Sequence, residues 1–198
     1  GSWLINASRG AVIDNQALKT FLIQRPDVRA VLDVWEGEPQ VDADLAQLCD
    51  IATAHIAGYS LDGKIRGTAQ IYQAFCEHFA LSDQAAIAYP AQTLQGIQLA
   101  GHSAVPEAMR LLCRAVYDPR GDDAAFRLSL QGDAQARRAA FDQLRKEYPV
   151  RREIPDLQVQ VSQPSAALQQ LLSALGVQHY SGLSVSVATG CSYAACFR

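Results

Sequence analysis

Three short apolar runs near the start of the chain each end in a polar turn, and this repeat constrains the fold more than any other feature. The first takes Leu4-Ile5-Asn6 into Ala7-Ser8-Arg9-Gly10 and reaches a helix cap at Asp14. The second takes Ala30-Val31-Leu32 into Asp33-Val34-Trp35-Glu36-Gly37-Glu38-Pro39. The third takes Ile51-Ala52-Thr53-Ala54 into His55-Ile56-Ala57-Gly58-Tyr59. Runs of this length alternating with helical patterns read as buried parallel strands joined by helical crossovers, an α/β arrangement. In open parallel sheets ligands bind beyond the carboxyl ends of the strands. Arg9, Asp33 with Glu38, and His55 all fall there.

The connecting segments fit this scheme. Asp14 can cap a helix whose apolar stripe is Ala17, Leu18, Phe21 and Leu22, and Pro26 stops it by disfavouring helical geometry at Arg25. The strands are expected at Val28 to Val34 and Ile51 to Ala54, with a turn or two of helix from Asp42 to Leu48. A helix from Ser60 to about Ala80 carries the stripe Leu61, Ile65, Thr68, Tyr72, Phe75 and Phe79.

Ala85 to Gln95 has few charges and contains Pro90, so it reads as a linker. Shorter units follow. A strand is expected at Gly96 to Leu99, then a helix from Val105 to Tyr117 with Ala108, Leu111, Leu112, Ala115 and Val116 facing inward. Asp118 to Asp122 reads as a turn and Asp133 to Tyr148 as a helix with Ala140, Phe141 and Leu144 on its core side. Leu157 to Val161 alternates as a strand, Pro164 to Leu175 is a helix closed by Gly176, and Val177 to Tyr180 is a last strand. This α+β pattern places a domain boundary near Leu81, giving units 1–80 and 81–180. The tail from Ser181 to Arg198 has no apolar period and is left unassigned.

Composition narrows the function classes. A net charge of −3 gives no electrostatic footprint for nucleic acid. No apolar run approaches the roughly 20 residues that cross a bilayer, and no signal peptide is visible. The five cysteines, Cys49, Cys76, Cys113, Cys191 and Cys196, are odd in number and lack metal-type spacing. They read as free thiols of a reducing, cytoplasmic compartment, and no metal site is expected. His78, His102 and His179 have no carboxylate or thiol partner at suggestive spacing and read as structural.

The turn motifs carry a family resemblance. Asn6-Ala7-Ser8-Arg9-Gly10 with Asp14 and Ala17-Leu18, then Asp33-Val34 with Glu38-Pro39, then His55-Ile56-Ala57-Gly58, resemble the NAD-dependent D-2-hydroxyacid dehydrogenases. A narrower likeness, to members of that family acting on a phosphorylated hydroxy acid, rests on four stretches. These are Asp33 to Pro39, His55 to Lys64 with Arg66-Gly67-Thr68, Val116-Tyr117-Asp118 with Asp122-Asp123, and Phe141 to Lys146 before Arg151-Arg152-Glu153. The resemblance covers about residues 1 to 180. It implies the C-terminal half of a Rossmann-like parallel sheet and a returning helix, followed by a small dimerisation domain that makes a homodimer. Dinucleotide-binding folds normally carry Gly-x-Gly-x-x-Gly after their first strand. That fingerprint is absent from this sequence, so the chain is expected to be the C-terminal part of a longer enzyme, and on its own to self-associate without turning over substrate.

The resemblance also implies roles. His55 would be the acid–base group, Glu38 its partner, and Arg9 the anchor for a substrate carboxylate. Ala7, Ser8, Arg9, Asp33 and Gly58 would line NAD, and Tyr59 would touch substrate. The chemistry suits these residue types: imidazole exchanges protons near neutral pH, a carboxylate fixes its tautomer, and guanidinium presents a fork to a carboxylate. Each residue also has a plainer reading. Arg9 and Glu38 could pair with each other, Asp33 could cap its strand, Gly58 could serve a tight turn, and Tyr59 could pack. Lys64 and Arg66 could attract a phosphate or be ordinary solvated helix residues. Arg151-Arg152-Glu153 could be a surface ion-pair cluster or an interface.

Overall fold

The computed structural model describes residues 1–82, 90, 94 and 96–180. Most of the expected linker and the whole 181–198 tail, with Cys191 and Cys196, lie outside them, as does the side chain of His179.

The first sheet is parallel, in the order β1 (Trp3–Asn6), β2 (Arg29–Leu32) and β3 (Ile51–Ala52). All three strands therefore end at the same edge; β2 and β3 are shorter than the expected Val28 to Val34 and Ile51 to Ala54. The crossovers are helical. In α1 (Asn15–Gln24) the Asp14 carboxylate accepts from the Ala17 amide at 2.9 Å, satisfying a first-turn donor. Leu18 and Leu22, four residues apart, are buried, whereas Phe21 of the expected stripe is 41% exposed. The short α2 (Ala43–Leu48) starts on Asp42, whose carboxylate accepts from Asp44 and Leu45.

α3 (Leu61–His78) begins on Ser60, whose hydroxyl accepts from the Gly63 amide at 3.0 Å. Its expected apolar stripe does not become a packed face within this chain. Ile71, Tyr72, Phe75 and Phe79 are exposed, while Asp62 and Cys76 are the buried positions.

The second sheet is also parallel, ordered β4 (Gly96–Leu99), β5 (Gln158–Val161) and β6 (Gln178–Tyr180). Its core joins Leu99, Val159 and Val161 to Leu112 of α4 (Val105–Val116) and to Leu168 and Leu172 of α7 (Ala166–Ala174). Leu111 points outward at 48% exposure, and so does Ala115, because the buried face of α4 passes through Ala108 and Leu112. Gly176 closes α7 with φ of +68°, a left-handed conformation that glycine adopts without steric cost.

Two further helices, α5 (Pro119–Ser129) and α6 (Ala134–Lys146), pack on the first sheet. The segment expected to be a turn at 118–122 is the start of α5. Asp118 is its N-cap, accepting from the Arg120 amide, and Pro119 occupies the first turn. The sequence reads as a turn because the same Asp-Pro signal serves both structures. Phe126 of α5 and Phe141 of α6 enter the core of the first sheet beside Trp35, Leu32 and Leu45. The Phe126 ring stacks on Trp35 at 5.3 Å between centroids. α5 also closes the β3 edge, where Asp123 accepts from the Ala52 amide at 2.8 Å and Arg127 donates to the Ala46 and Cys49 carbonyls. The first core is thus completed by residues from beyond the expected boundary at Leu81.

Candidate functional site

The polar turns after β1, β2 and β3 converge at the carboxyl edge of the first sheet. After β1, buried Asn6 organises the turn: its Oδ1 accepts from the Ser8 amide and hydroxyl, and its Nδ2 donates to the Arg9 carbonyl. Gly10 is required by close approach, since a Cβ there would lie 2.1 Å from the Trp35 carbonyl oxygen. Ala7, Ser8 and Arg9 are left exposed. Arg9 donates to the Ser8 carbonyl at 2.6 Å and has no acidic partner among the described residues. It does not pair with Glu38.

Glu38 is committed elsewhere. Its Oε1 accepts from the Trp35 amide at 2.7 Å and its Oε2 meets His55 Nδ1 at 2.7 Å. With Nδ1 so engaged, Nε2 is the ring atom free to exchange a proton. His55 also holds a left-handed backbone, φ +56°, which is uncommon for a non-glycine residue and is found at functional turns. Several bonds impose it. The His55 amide donates to the Asp33 carbonyl at 2.7 Å, and the Asp33 carboxylate then accepts from Thr53 Oγ1 at 2.6 Å, Ile56 at 2.8 Å and Ala57 at 2.9 Å.

Asp33 is therefore buried as the cap of the 53–57 turn. Only its Oδ2, which accepts the Ala57 amide alone, has acceptor capacity left. Gly58 does not adopt positive φ, so no turn demands glycine there. A Cβ at Gly58 would meet nothing within 4 Å, which marks open space beside the loop. A cavity of about 630 Å³ adjoins these turns, with Ala7, Asp33, Thr53 and Ala57 on one side and Tyr117, Arg151 and Ile154 on the other.

The far wall is the part that sequence reasoning missed. Arg151 donates from Nη2 to the Ile56 and Ala57 carbonyls and from Nη1 to the Tyr148 hydroxyl. Its guanidinium lies 4.2 Å above the Tyr117 ring. The Tyr117 and Tyr148 hydroxyls both donate to Asp122 Oδ2, at 2.8 and 2.7 Å. Burial, then the bond to Asp122, pushes the Tyr148 phenol up to about 12, and the same causes raise Tyr117. Arg152 and Glu153 grip the start of α3 instead: Arg152 pairs with Asp62, and Glu153 accepts from Ser60 and pairs with Arg66 at 3.4 Å. The 151–153 cluster is thus a contact inside this chain. Tyr59 packs edge-on against Tyr148 at 5.6 Å. In the sequence Tyr117, Asp122 and Arg151 stand out only as separate stretches of the family resemblance, too far apart to read as one unit.

Comparison with known proteins fits this geometry. Residues 1–57 match the family model described as D-isomer specific 2-hydroxyacid dehydrogenase, NAD binding domain. Residues 89–176 match a domain of unknown function, DUF3410. The erythronate-4-phosphate dehydrogenase of Stutzerimonas stutzeri is 59% identical over 180 residues, 90% of this chain and 47% of the relative. The enzymes of the same name from Azotobacter vinelandii and Pseudomonas putida strain F1 are each 58% identical, over 90% and 89% of this chain and again 47% of the relative. The likeness to the erythronate-4-phosphate dehydrogenases runs over 89–90% of this chain. The chain spans about half the length of the curated relatives it matches. The parallel first sheet is accordingly part of a Rossmann-like NAD-binding domain. No helix among the described residues is long and apolar enough to cross a membrane.

Proposed function

We propose that this chain supplies the acid–base half of an NAD-dependent dehydrogenase that oxidises 4-phospho-D-erythronate to 2-oxo-3-hydroxy-4-phosphobutanoate, a step of pyridoxal phosphate synthesis in the cytoplasm. One observation carries the reading: His55 is pinned through Nδ1 to Glu38 at 2.7 Å, at the sheet edge where the turn after β1 also carries Arg9. Oxidation of a 2-hydroxy acid removes a proton from the hydroxyl as hydride leaves the same carbon. The nicotinamide ring of NAD, when bound, accepts that hydride. His55 Nε2 takes the hydroxyl proton, and Glu38 stabilises the imidazolium that forms. Arg9 holds the substrate carboxylate with its planar fork and polarises the oxygen being oxidised. Ala7, Ser8, Asp33 Oδ2 and the open side of Gly58 are the groups that would receive the nicotinamide end, and Tyr59 would touch substrate.

The reading extends to assembly. Met109, Leu111, Leu128 and Val150 are 48%, 48%, 66% and 76% exposed, more apolar surface than the unit beyond residue 81 hides by itself. A two-fold homodimer through that unit is the commonest way to cover such a surface. A purely structural dimerisation module is the rival from another class, and it gives no reason for the left-handed His55 on Glu38. Another D-2-hydroxyacid as substrate is the second rival.

The test joins residues 1–180 to the upstream part of the Stutzerimonas stutzeri relative and follows NADH absorbance with 4-phospho-D-erythronate. The joined protein is expected to turn over and the chain alone is not. His55→Ala in the joined protein should lower turnover by about 10²- to 10⁴-fold while NAD still binds. Near-normal turnover in His55→Ala would remove the assignment.

A further inference from the structure

The peptide unit that joins Ile56 to Ala57 is gripped at both of its polar ends. Its N–H, on Ala57, donates to Asp33 Oδ2 at 2.9 Å, and the Ile56 amide donates to Asp33 Oδ1 at 2.8 Å. Its carbonyl, on Ile56, accepts from Arg151 Nη2 at 3.1 Å, and the Ala57 carbonyl accepts from the same nitrogen at 2.9 Å. Asp33 comes from the first sheet's own turn. Arg151 comes from the 89–176 unit, the part matched by a domain of unknown function. The residue just before this peptide is His55, with φ of +56°. A left-handed backbone under a side chain persists only where its surroundings over-determine it. Here a carboxylate grips the amides and a guanidinium grips the carbonyls.

Arg151 is itself held on several sides. Its Nη1 donates to the Tyr148 hydroxyl at 3.2 Å, and its guanidinium carbon lies 4.2 Å from the Tyr117 centroid and 5.5 Å from that of Tyr148. Both phenols donate to one atom, Asp122 Oδ2, which fixes the two rings against each other. The Arg151 carbonyl accepts from the Leu61 amide at 2.8 Å, so its backbone is tied to the start of α3. A long side chain anchored in this way is aimed before any ligand arrives. What it aims at carries the imidazole. The ring meets Glu38 at 2.7 Å only while the backbone beneath it keeps its course.

We infer that the 89–176 unit has a part in the reaction as well as in packing: Arg151, aimed by Tyr148, Tyr117 and Asp122, is a positioning residue for His55. It acts through the Ile56 and Ala57 carbonyls. That the aligned imidazole exchanges the substrate proton rests on the proposed function. The hold on the turn does not.

Two readouts test this. The first is the His55 tautomer, read from long-range ¹H–¹⁵N spectra of the ¹⁵N-labelled 198-residue chain at a pH where the ring is neutral. The unaltered chain is expected to show the Nδ1–H tautomer on Glu38, and Arg151→Lys a mixture of the two. The second is kinetic, with NAD and 4-phospho-D-erythronate in the joined protein. Arg151→Lys should lower kcat by about tenfold or more and leave KM within about twofold, the mark of a misplaced reacting group. Tyr148→Phe keeps the ring under the guanidinium and removes only the oxygen, so it should move both readouts the same way by less. Arg152→Met is the control. Its neighbour in sequence grips Asp62 instead, so the variant should melt earlier yet keep the tautomer and hold kcat within about twofold. Should Arg151→Lys unfold, Tyr148→Phe decides on the same readouts.

A single Nδ1–H tautomer in both Arg151→Lys and Tyr148→Phe would overturn the positioning role and leave a packing contact. A mixture of tautomers with unchanged kcat would overturn the part in the reaction. An equal fall of kcat in Arg152→Met would overturn it as well, since lost stability would then explain the effect. A raised KM with unchanged kcat in Arg151→Lys would put Arg151 on the ligand and not on the turn. A mixture of tautomers in Arg151→Lys beside a fully active His55→Ala would instead remove the dehydrogenase reading and keep the hold on the turn.

Discussion

Arg151 Nη2 donates to the Ala57 carbonyl at 2.9 Å, across 94 residues of sequence. The same guanidinium reaches the Ile56 carbonyl and is held from below by Tyr117 and Tyr148. The turn that sets His55 in its left-handed conformation is thus braced on one side by Asp33, from its own sheet, and on the other by a residue of the 89–176 unit. The extension is part of the architecture of the candidate site.

Arg151→Lys should therefore disturb the His55 turn although the charge is kept. An ammonium cannot span two carbonyls and a phenol while stacking on a ring. Hydrogen exchange at the Tyr59 amide, which donates to Ile56 O, is expected to speed up by about tenfold or more, the size of effect that loss of a charged hydrogen bond gives. Unchanged exchange there, with a normal melting temperature, would mean that the turn stands without its brace.

Asp33→Asn separates a cap from a ligand. The amide nitrogen would replace one acceptor oxygen and face either Ala57 N or the pair made by Thr53 Oγ1 and Ile56 N. One donor then loses its acceptor, at about 1–3 kcal/mol. Urea denaturation of the chain without any nucleotide is expected to show that loss. Equal stability of the variant and the unaltered chain would return Asp33 to a purely ligand-binding role.

Arg9→Lys is expected to raise KM and lower kcat together in the joined protein, because in the proposed mechanism one planar fork would serve both the carboxylate and the reacting oxygen. Steady-state kinetics with 4-phospho-D-erythronate check it. Unaltered kinetics would leave Arg9 with no part in the substrate site.

Much of this site was legible because its residues lie in short, local motifs. Asp33, Glu38 and His55 end strands, and the sheet edge brings strand ends together whatever the side chains are. The brace was not legible. Arg151, Tyr148 and Asp122 meet the His55 turn only through tertiary packing, and no sequence period links them to it. The same holds for Phe126: the Asp118-Pro119 signal marks equally a turn and a helix start, and only the Trp35 pocket selects the helix. The apolar period from Ser60 to Ala80 predicts the helix α3. Its stripe lies largely in water in this chain, since period fixes which residues share a face and not whether anything covers it.

Acid should loosen the joint between α3 and the 151–153 strap. Burial raises the Asp62 pKa, but the hydrogen bonds and charge of Arg152 outweigh it and hold the carboxyl below its ordinary value. A carboxylate depressed in the folded state stabilises fully above its unfolded pKa of about 3.9 and stops doing so as pH falls through the folded value. Asp62→Asn should cost about 1.5–3 kcal/mol at pH 7, since it removes the charge-assisted hydrogen bonds that Arg152, its side chain 10% exposed, makes to the carboxylate, while Arg152 keeps its bond to the Pro90 carbonyl. That gap should narrow below about pH 4, where the unaltered chain also loses the charge. Urea midpoints measured from pH 7 down to acid check this, and curves that stay parallel would show that Asp62 does not carry the acid sensitivity.

Phe126→Ala tests whether the two halves share one core. Phe126 is fully buried, stacked on Trp35 and edge-on to Phe141 at 6.1 Å, with Trp35 in turn donating from Nε1 to the Thr53 carbonyl at 2.9 Å. Removing the ring leaves a cavity between α5 and the first sheet, and such truncations cost about 3–5 kcal/mol. Trp35 is 2% exposed and Trp3 63%, so the change in tryptophan emission on unfolding reports mainly on Trp35. If α5 belongs to the first core, the fluorescence transition in urea should move to lower denaturant by that amount and coincide with the loss of helical circular dichroism. A variant whose Trp35 transition stays in place while helix signal melts early would mean that residues 1–57 hold their core without α5.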